Sequence, residues 1–131
     1  MTPSEQFITG VDFVVLPTHD LEAAVEFYGK TLGLPCSVHR PESNFAEFET
    51  GNLTLSVIDA EKMGMEHHVQ QHHVALHVDD IEAARAGLEA RGVVFGGDTF
   101  DTSVCHMAFF TDPDGNALML HHRYAPRVTQ A

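Results

Sequence analysis

Residues 72–80 read HHVALHVDD and residues 12–20 read DFVVLPTHD, two runs with one pattern of apolar and acidic positions set 60 apart. Phe13 stands over His73, Asp20 over Asp80, and Leu21-Glu22-Ala23-Ala24 over Ile81-Glu82-Ala83-Ala84 at that same spacing. Internal repetition constrains architecture more firmly than local propensity. The chain reads as a duplicated module, and the exchange of Phe13 for His73 sets the two copies apart chemically.

Each copy opens on a β-rich run, VDFVVLPT or HHVALHV, followed by Asp20 or Asp80 at the N-cap of a helix whose first turn carries Glu22 or Glu82. Leu21, Ala24, Val25, Tyr28 and Leu32 follow helical spacing, as do Ile81, Ala84 and Leu88, before Gly33 and Gly92 supply C-caps. PCSVHR then parallels VVFGGDTF, and NFAEF parallels HMAFF with Glu47 opposite Phe109. The last strand of each copy alternates, Thr54 and Ser56 against Leu53, Leu55 and Val57, and Met119 and His121 against Leu118 and Leu120, at a spacing of 65. Asp112-Pro113-Asp114-Gly115 has the residues of a tight reversal.

The reading is α+β, two tandem βαβββ modules with curled mixed sheets enclosing a cavity. One helix covers one face of each sheet, and the other face needs a partner sheet. Module one spans about 8–58, a connector 59–71, and module two about 72–122, within a single domain over 1–131.

Composition narrows the function. With 19 acidic residues against 7 Lys plus Arg, the net charge of −12 repels phosphate backbones and anionic lipid, so nucleic acid and membrane are excluded as partners. Cys36 and Cys105 are too few for a disulfide scaffold and lack metal-ligand spacing. MTPSEQFITG shows no basic segment followed by an apolar run, and no stretch reaches membrane-spanning length, so a cytoplasmic protein is expected. There is no glycine-rich phosphate loop and no serine elbow.

DLEAAVEFYGKTLGL after the first strand, HHVALHVDDIEAA at the start of the second module and FFTDPDGNALML near the end together resemble the vicinal oxygen chelate superfamily, which groups glyoxalases, bleomycin resistance proteins and extradiol dioxygenases. The resemblance covers about residues 8–122. It implies a paired βαβββ fold, usually as a homodimer, with each cavity formed either within one chain or by modules of two chains. Metal-dependent members place ligands on the first and last strands of each module, positions that carry Phe13, Thr54, His73 and Met119 here. A divalent cation requires several nitrogen or oxygen donors at about 2.0–2.2 Å; a phenyl ring has none, a hydroxyl is weak and a thioether suits soft metals. The resemblance therefore implies a metal site stripped to one imidazole, and no cofactor is expected.

The candidate ligand cavity comprises Phe13, Thr54, His73, Phe109, Met119 and His121, with Phe48 and Met107 as further apolar lining. The bland alternatives are ordinary core packing for the apolar residues, a hydrogen-bonded strand histidine for His73, a solvated residue for Glu47 and a surface pair for His121 and His122. Two chemical alternatives stand beside these. His73 and Glu47 form a metal-free acid–base pair, or His73, Glu47 and His121 form a relocated site for iron, zinc, nickel or manganese. His77 shares a strand face with His73 but lies roughly 13 Å along it, too far to share an ion. The histidines of EHHVQQHH belong to an exposed loop.

Two functional classes follow. The first is a metal-independent protein that binds a small organic molecule, with His73 orienting it. The second is an enzyme, a glyoxalase-like lyase or isomerase or a ring-cleaving dioxygenase. A dimerising domain with a vestigial cavity is the third reading.

Overall fold

The computed structural model describes residues 5–127; residues 1–4 and 128–131 of the expected domain lie outside the described residues. Eight strands and two α-helices follow the order of the repeat. In the first module β1 (Phe13–Pro17) leads to α1 (Leu21–Glu26), then β2 (Cys36–Arg40), β3 (Phe45–Glu49) and β4 (Thr54–Ile58). In the second, β5 (Val74–His77) leads to α2 (Ile81–Ala90), β6 (Phe100–Asp101), β7 (Cys105–Thr111) and β8 (Ala117–Arg123). The sheets are ordered β1-β4-β3-β2 and β5-β8-β7-β6, each with one parallel pair at its opening strand and antiparallel pairs elsewhere.

Both helices begin where the two aspartates require. The Asp20 carboxylate accepts from Ala23 N and that of Asp80 from Ala83 N, each at 3.1 Å, satisfying a first-turn amide that has no partner within the helix. The first helix does not continue as a regular one to Leu32: after Glu26 it widens into a π-helical turn, Phe27–Thr31, closed by Leu32 N donating to Phe27 O at 2.9 Å. Gly33 and Gly92 end the two helices with φ of 75° and 94°, a left-handed geometry that a side chain disfavours.

Two further sequence expectations are corrected. Residues 93–99 form no strand: Val93 and Phe95 drop into the core, Arg85 grips Gly97 O at 2.8 Å, and pairing resumes only at β6. The final strands are related by 63 positions, not 65, since Glu47 pairs with Ser56 while Phe109 pairs with Met119. The loop between Thr111 and Ala117 is one residue longer than that between Glu49 and Thr54, which moves the spacing only from 62 to 63. Met119 is therefore the counterpart of Ser56, and Ala117 that of Thr54.

α1 packs on β3 and β4, and α2 on β7 and β8. The helix-side residues of both modules merge into one core that includes Leu16, Tyr28, Phe48, Leu55, Phe110 and Leu118. Burial of each such side chain is worth about 1.5–3 kcal/mol. Because this core occupies the helix sides, the opposite face of each sheet remains open, and those two faces carry the candidate site.

Candidate functional site

Strand alternation sorts the residues. Val14 and Leu16 of β1 join the core, while Phe13 and Val15 point away and are 54% and 42% exposed. On β4, Leu55 and Val57 are core and Thr54 and Ser56 lie on the open face; on β3, Phe48 is core and Glu47 and Glu49 share the open face. In the second sheet Val74, Leu76, Leu118 and Leu120 are core, which leaves His73, Ala75, His77, Met119 and His121 on the open side. Phe109 pairs with Met119 and Met107 with His121, so both belong to that face. Phe13 and Thr54 thus sit on one open face, and His73, Phe109, Met119 and His121 on the other. Phe48 lines neither face, because it is fully buried in the core against Tyr28.

On the first face Phe13 and Thr54 are register partners. The Thr54 hydroxyl donates to Glu49 Oε1 at 2.7 Å, and the Ser37 hydroxyl donates to Glu49 Oε2 at 2.5 Å. These bonds, the Ser37 one foremost, hold the Glu49 carboxyl below the usual glutamate range. Glu49 was missed in the sequence, although its spacing of two from Glu47 puts it on the same face.

On the second face the His73 ring meets Phe109 edge-on, with centroids 4.9 Å apart. His121 lies beside His77 in register, and desolvation, followed by repulsion from His77, Arg127, Arg123 and His122, keeps its pKa below the ordinary histidine value. Arg123 follows on the same alternation, and its Nε is buried without a hydrogen-bond partner. This face therefore combines aromatic and thioether surface with nitrogen groups that can donate to an acceptor.

Glu47, His73 and His121 do not gather within one chain. Glu47 belongs to the first sheet and the histidines to the second, where four residues of strand, roughly 13 Å, separate His73 from His121. Among the described residues no three His, Cys, Asp or Glu side chains converge as a metal ion requires. With Ser56 taking the place of Thr54 as the counterpart of Met119, the implied ligand positions do not fit a divalent cation either, since Phe13 has no donor atom, the Ser56 hydroxyl is a weak neutral one and the Met119 thioether suits soft metals. In the connector, His68 is exposed as expected and bonds Glu66, whereas His67 stacks on His19 with centroids 3.6 Å apart. A cavity of about 680 Å³ lies on the helix side of the second sheet, and none of the six expected cavity residues lines it.

The family model described as Glyoxalase/Bleomycin resistance protein/Dioxygenase superfamily matches residues 10–120. The chain belongs to this superfamily. Solved members reproduce the fold over nearly its full length. A glyoxalase/bleomycin resistance protein/dioxygenase from Nocardioides is 27% identical with a TM-score of 0.76, covering 99% of this chain and 92% of its own. TnmS3, an antibiotic binding protein from Streptomyces sp. CB03234, is 26% identical with a TM-score of 0.76, covering 91% and 99% respectively. Lactoylglutathione lyase from Agrobacterium tumefaciens is 20% identical with a TM-score of 0.76 over 87% of this chain and 93% of its own, a likeness of fold alone. Proteins of this fold thus include both an antibiotic binding protein and a lyase, and the open-face residues have to decide between such roles.

Proposed function

We propose that this protein binds a small organic molecule without transforming it, on the open face of the second sheet, closed by the first sheet's open face from a second copy. The observation that carries the reading is the edge-on contact of His73 with Phe109, in a surface that also holds Met119. Such a surface offers a flat apolar ligand aromatic and thioether contact, and one imidazole to orient it. Similarity to an antibiotic binding protein supports the reading. Closure by a second copy is supported by the exposure of Phe13 and Val15, apolar groups that a partner face would cover. A cytoplasmic location is part of the same proposal; no helix among the described residues is long and apolar enough to cross a membrane.

One observation favours a second reading. The first open face carries the carboxylates Glu47 and Glu49 and the second carries the imidazoles His73 and His121. Closure across two chains brings carboxylate towards imidazole, which is what a lyase, isomerase or dioxygenase needs, with a metal ion or as an acid–base pair.

Elemental analysis of the purified protein separates the two. Under the binding reading iron, zinc, nickel and manganese stay well below one ion per chain, and a flat aromatic dye such as acridine orange binds the wild type but not Phe109→Ala. Stoichiometric metal that disappears in His73→Ala transfers the assignment to the enzyme.

A further inference from the structure

We infer that the cavity on the helix side of the second sheet is a second ligand site, built for an amphiphilic carboxylate. Its volume of about 680 Å³ falls within the range of about 300–1,000 Å³ in which small-molecule sites occur. Both modules contribute its walls, among them Leu32 and Leu34 from the first and Val74, Leu76 and Leu88 from the second. It lies chiefly on the helix side of the second sheet and reaches the edge of β5, where Ala75 and His77 also line it, while His73, Phe109, Met119 and His121 do not.

Three features of α2 set the site's character. Ala84, Gly87, Leu88 and Arg91 recur at helical spacing and all line the cavity. Gly87 stands inside the helix, where glycine is about 0.5–1 kcal/mol worse than alanine, and a Cβ added there would meet nothing within 4 Å. No packing constraint calls for glycine at this position; its effect is to leave the cavity wide. One turn later, Arg91 brings a permanent cation to a lining that is mainly apolar, with Thr50, Asn52 and His77 as its other polar side chains.

The state of that cation identifies the ligand class. Lys30, Lys62 and Arg85 each face a carboxylate, from Glu26, Asp59 and Glu89. Arg85 also donates to Thr99 and Gly97 and lies over the Phe95 ring. The Arg91 guanidinium makes one hydrogen bond, Nη1 donating to Thr31 O at 3.0 Å, and, like Arg40 and Arg123, has no carboxylate partner among the described residues; of these arginines it is the one at the cavity. The bond fixes the guanidinium at the cavity while leaving donors free, the arrangement suited to a carboxylate held by charge-assisted hydrogen bonds. In a chain of net charge −12, general attraction for anions is absent, so recognition rests on this local pairing and on the apolar walls.

The test uses 11-(dansylamino)undecanoic acid and its methyl ester, titrated by fluorescence into the full chain. The acid is expected to bind the wild type about tenfold or more tightly than the ester, and Arg91→Gln, an exposed change, should abolish that preference. Gly87→Leu, which fills the space, should remove binding of both probes, with Gly87→Ala as the milder variant should the larger one fail to fold. His73→Ala and Phe109→Ala should leave acid binding unchanged, so failure of this site and failure of the open-face site are told apart. Equal binding of acid and ester, or undiminished binding to both Gly87 variants, overturns the proposal. So does a wild type that binds neither probe.

Discussion

Tyr28 donates its phenolic proton to Asp112 Oδ2 at 2.7 Å, joining the helical segment of the first module to the β7–β8 turn of the second inside the common core. Asp112 also accepts from Asn116 Nδ2 at 2.7 Å, and the same Asn116 nitrogen reaches Pro17 O at 2.8 Å, at the end of β1. Asn116 Oδ1 in turn accepts from Gln70 N in the connector. The turn is thus a clasp on which β1, the π-helical turn and the connector all converge. Such a buried network is stabilising only while every member is satisfied.

Tyr28→Phe removes one donor and leaves a buried carboxylate one bond short. A loss of about 1–3 kcal/mol is expected in urea unfolding, with the fold retained because Asn116 still bonds Asp112. The pH dependence has a definite sign. Burial first, and then the charge of Asp112, raise the Tyr28 pKa far above its ordinary value of 10.0. The contribution is fully present below that value and is lost as pH rises beyond it, because the unfolded chain then releases a proton that the folded chain keeps. Wild-type stability should therefore begin to fall above about pH 10, and Tyr28→Phe should reduce that slope.

The duplicated caps give a paired prediction. Asp20→Ala and Asp80→Ala should each cost about 1 kcal/mol, and the double variant about the sum, since the two carboxylates share no partner. Thermal unfolding measures both. A strongly unequal pair would mean that one aspartate has a role beyond its helix.

Much of this architecture is visible as sequence because it is local. Asp20 and Asp80 announce helix starts, Gly33 and Gly92 announce their ends, and alternation assigns Phe13, Thr54, His73 and Met119 to the faces away from the core. What escapes is non-local. The relation of Ser56 to Met119 depends on a single extra residue in a loop, and a slip of two along a strand preserves the face and so leaves no trace in the alternation. Val93 and Phe95 alternate like a strand, yet they serve the core while the glycines after them turn the chain. The DPDGN turn reads as a reversal, but its role as a clasp depends on Tyr28, which lies 84 positions away. The helix-side cavity is invisible for the same reason, since Leu34 and Val74 share a wall only after both modules have packed.

Acid should act through the second open face. The His121 pKa lies below 6.5 chiefly through desolvation, with His77 and the neighbouring arginines adding repulsion. Between the lowered folded value and the ordinary value the unfolded chain binds more protons, so stability rises with pH across that window and is lost as pH falls below about 6.5. His121→Gln should flatten this part of the profile in urea unfolding measured from pH 7.5 to 5. An unchanged slope would show that the acid response arises elsewhere.

The exposed apolar groups of β1 bear on assembly. Phe13 and Val15 project from an edge strand that pairs only with β4, and Phe13 remains 54% exposed, next to an N-terminal arm whose Phe7 and Ile8 are also uncovered. A free chain carrying this surface is prone to associate, and a second copy presenting its second sheet supplies a face with Phe109, Met119 and Met107 to meet it. Sedimentation equilibrium should give twice the chain mass of 14.4 kDa for the wild type and a marked shift towards the single chain for Phe13→Asp. Phe13 is exposed and lies outside the core cluster, so the variant should keep its circular dichroism and unfold within about 0.5 kcal/mol of wild type once compared as single chains. Acridine orange binding should fall with the dimer if the ligand face needs both sheets. Retention of full binding by a monomeric Phe13→Asp chain would confine the site to the second sheet alone, with His73 and Phe109 sufficient to hold the ligand.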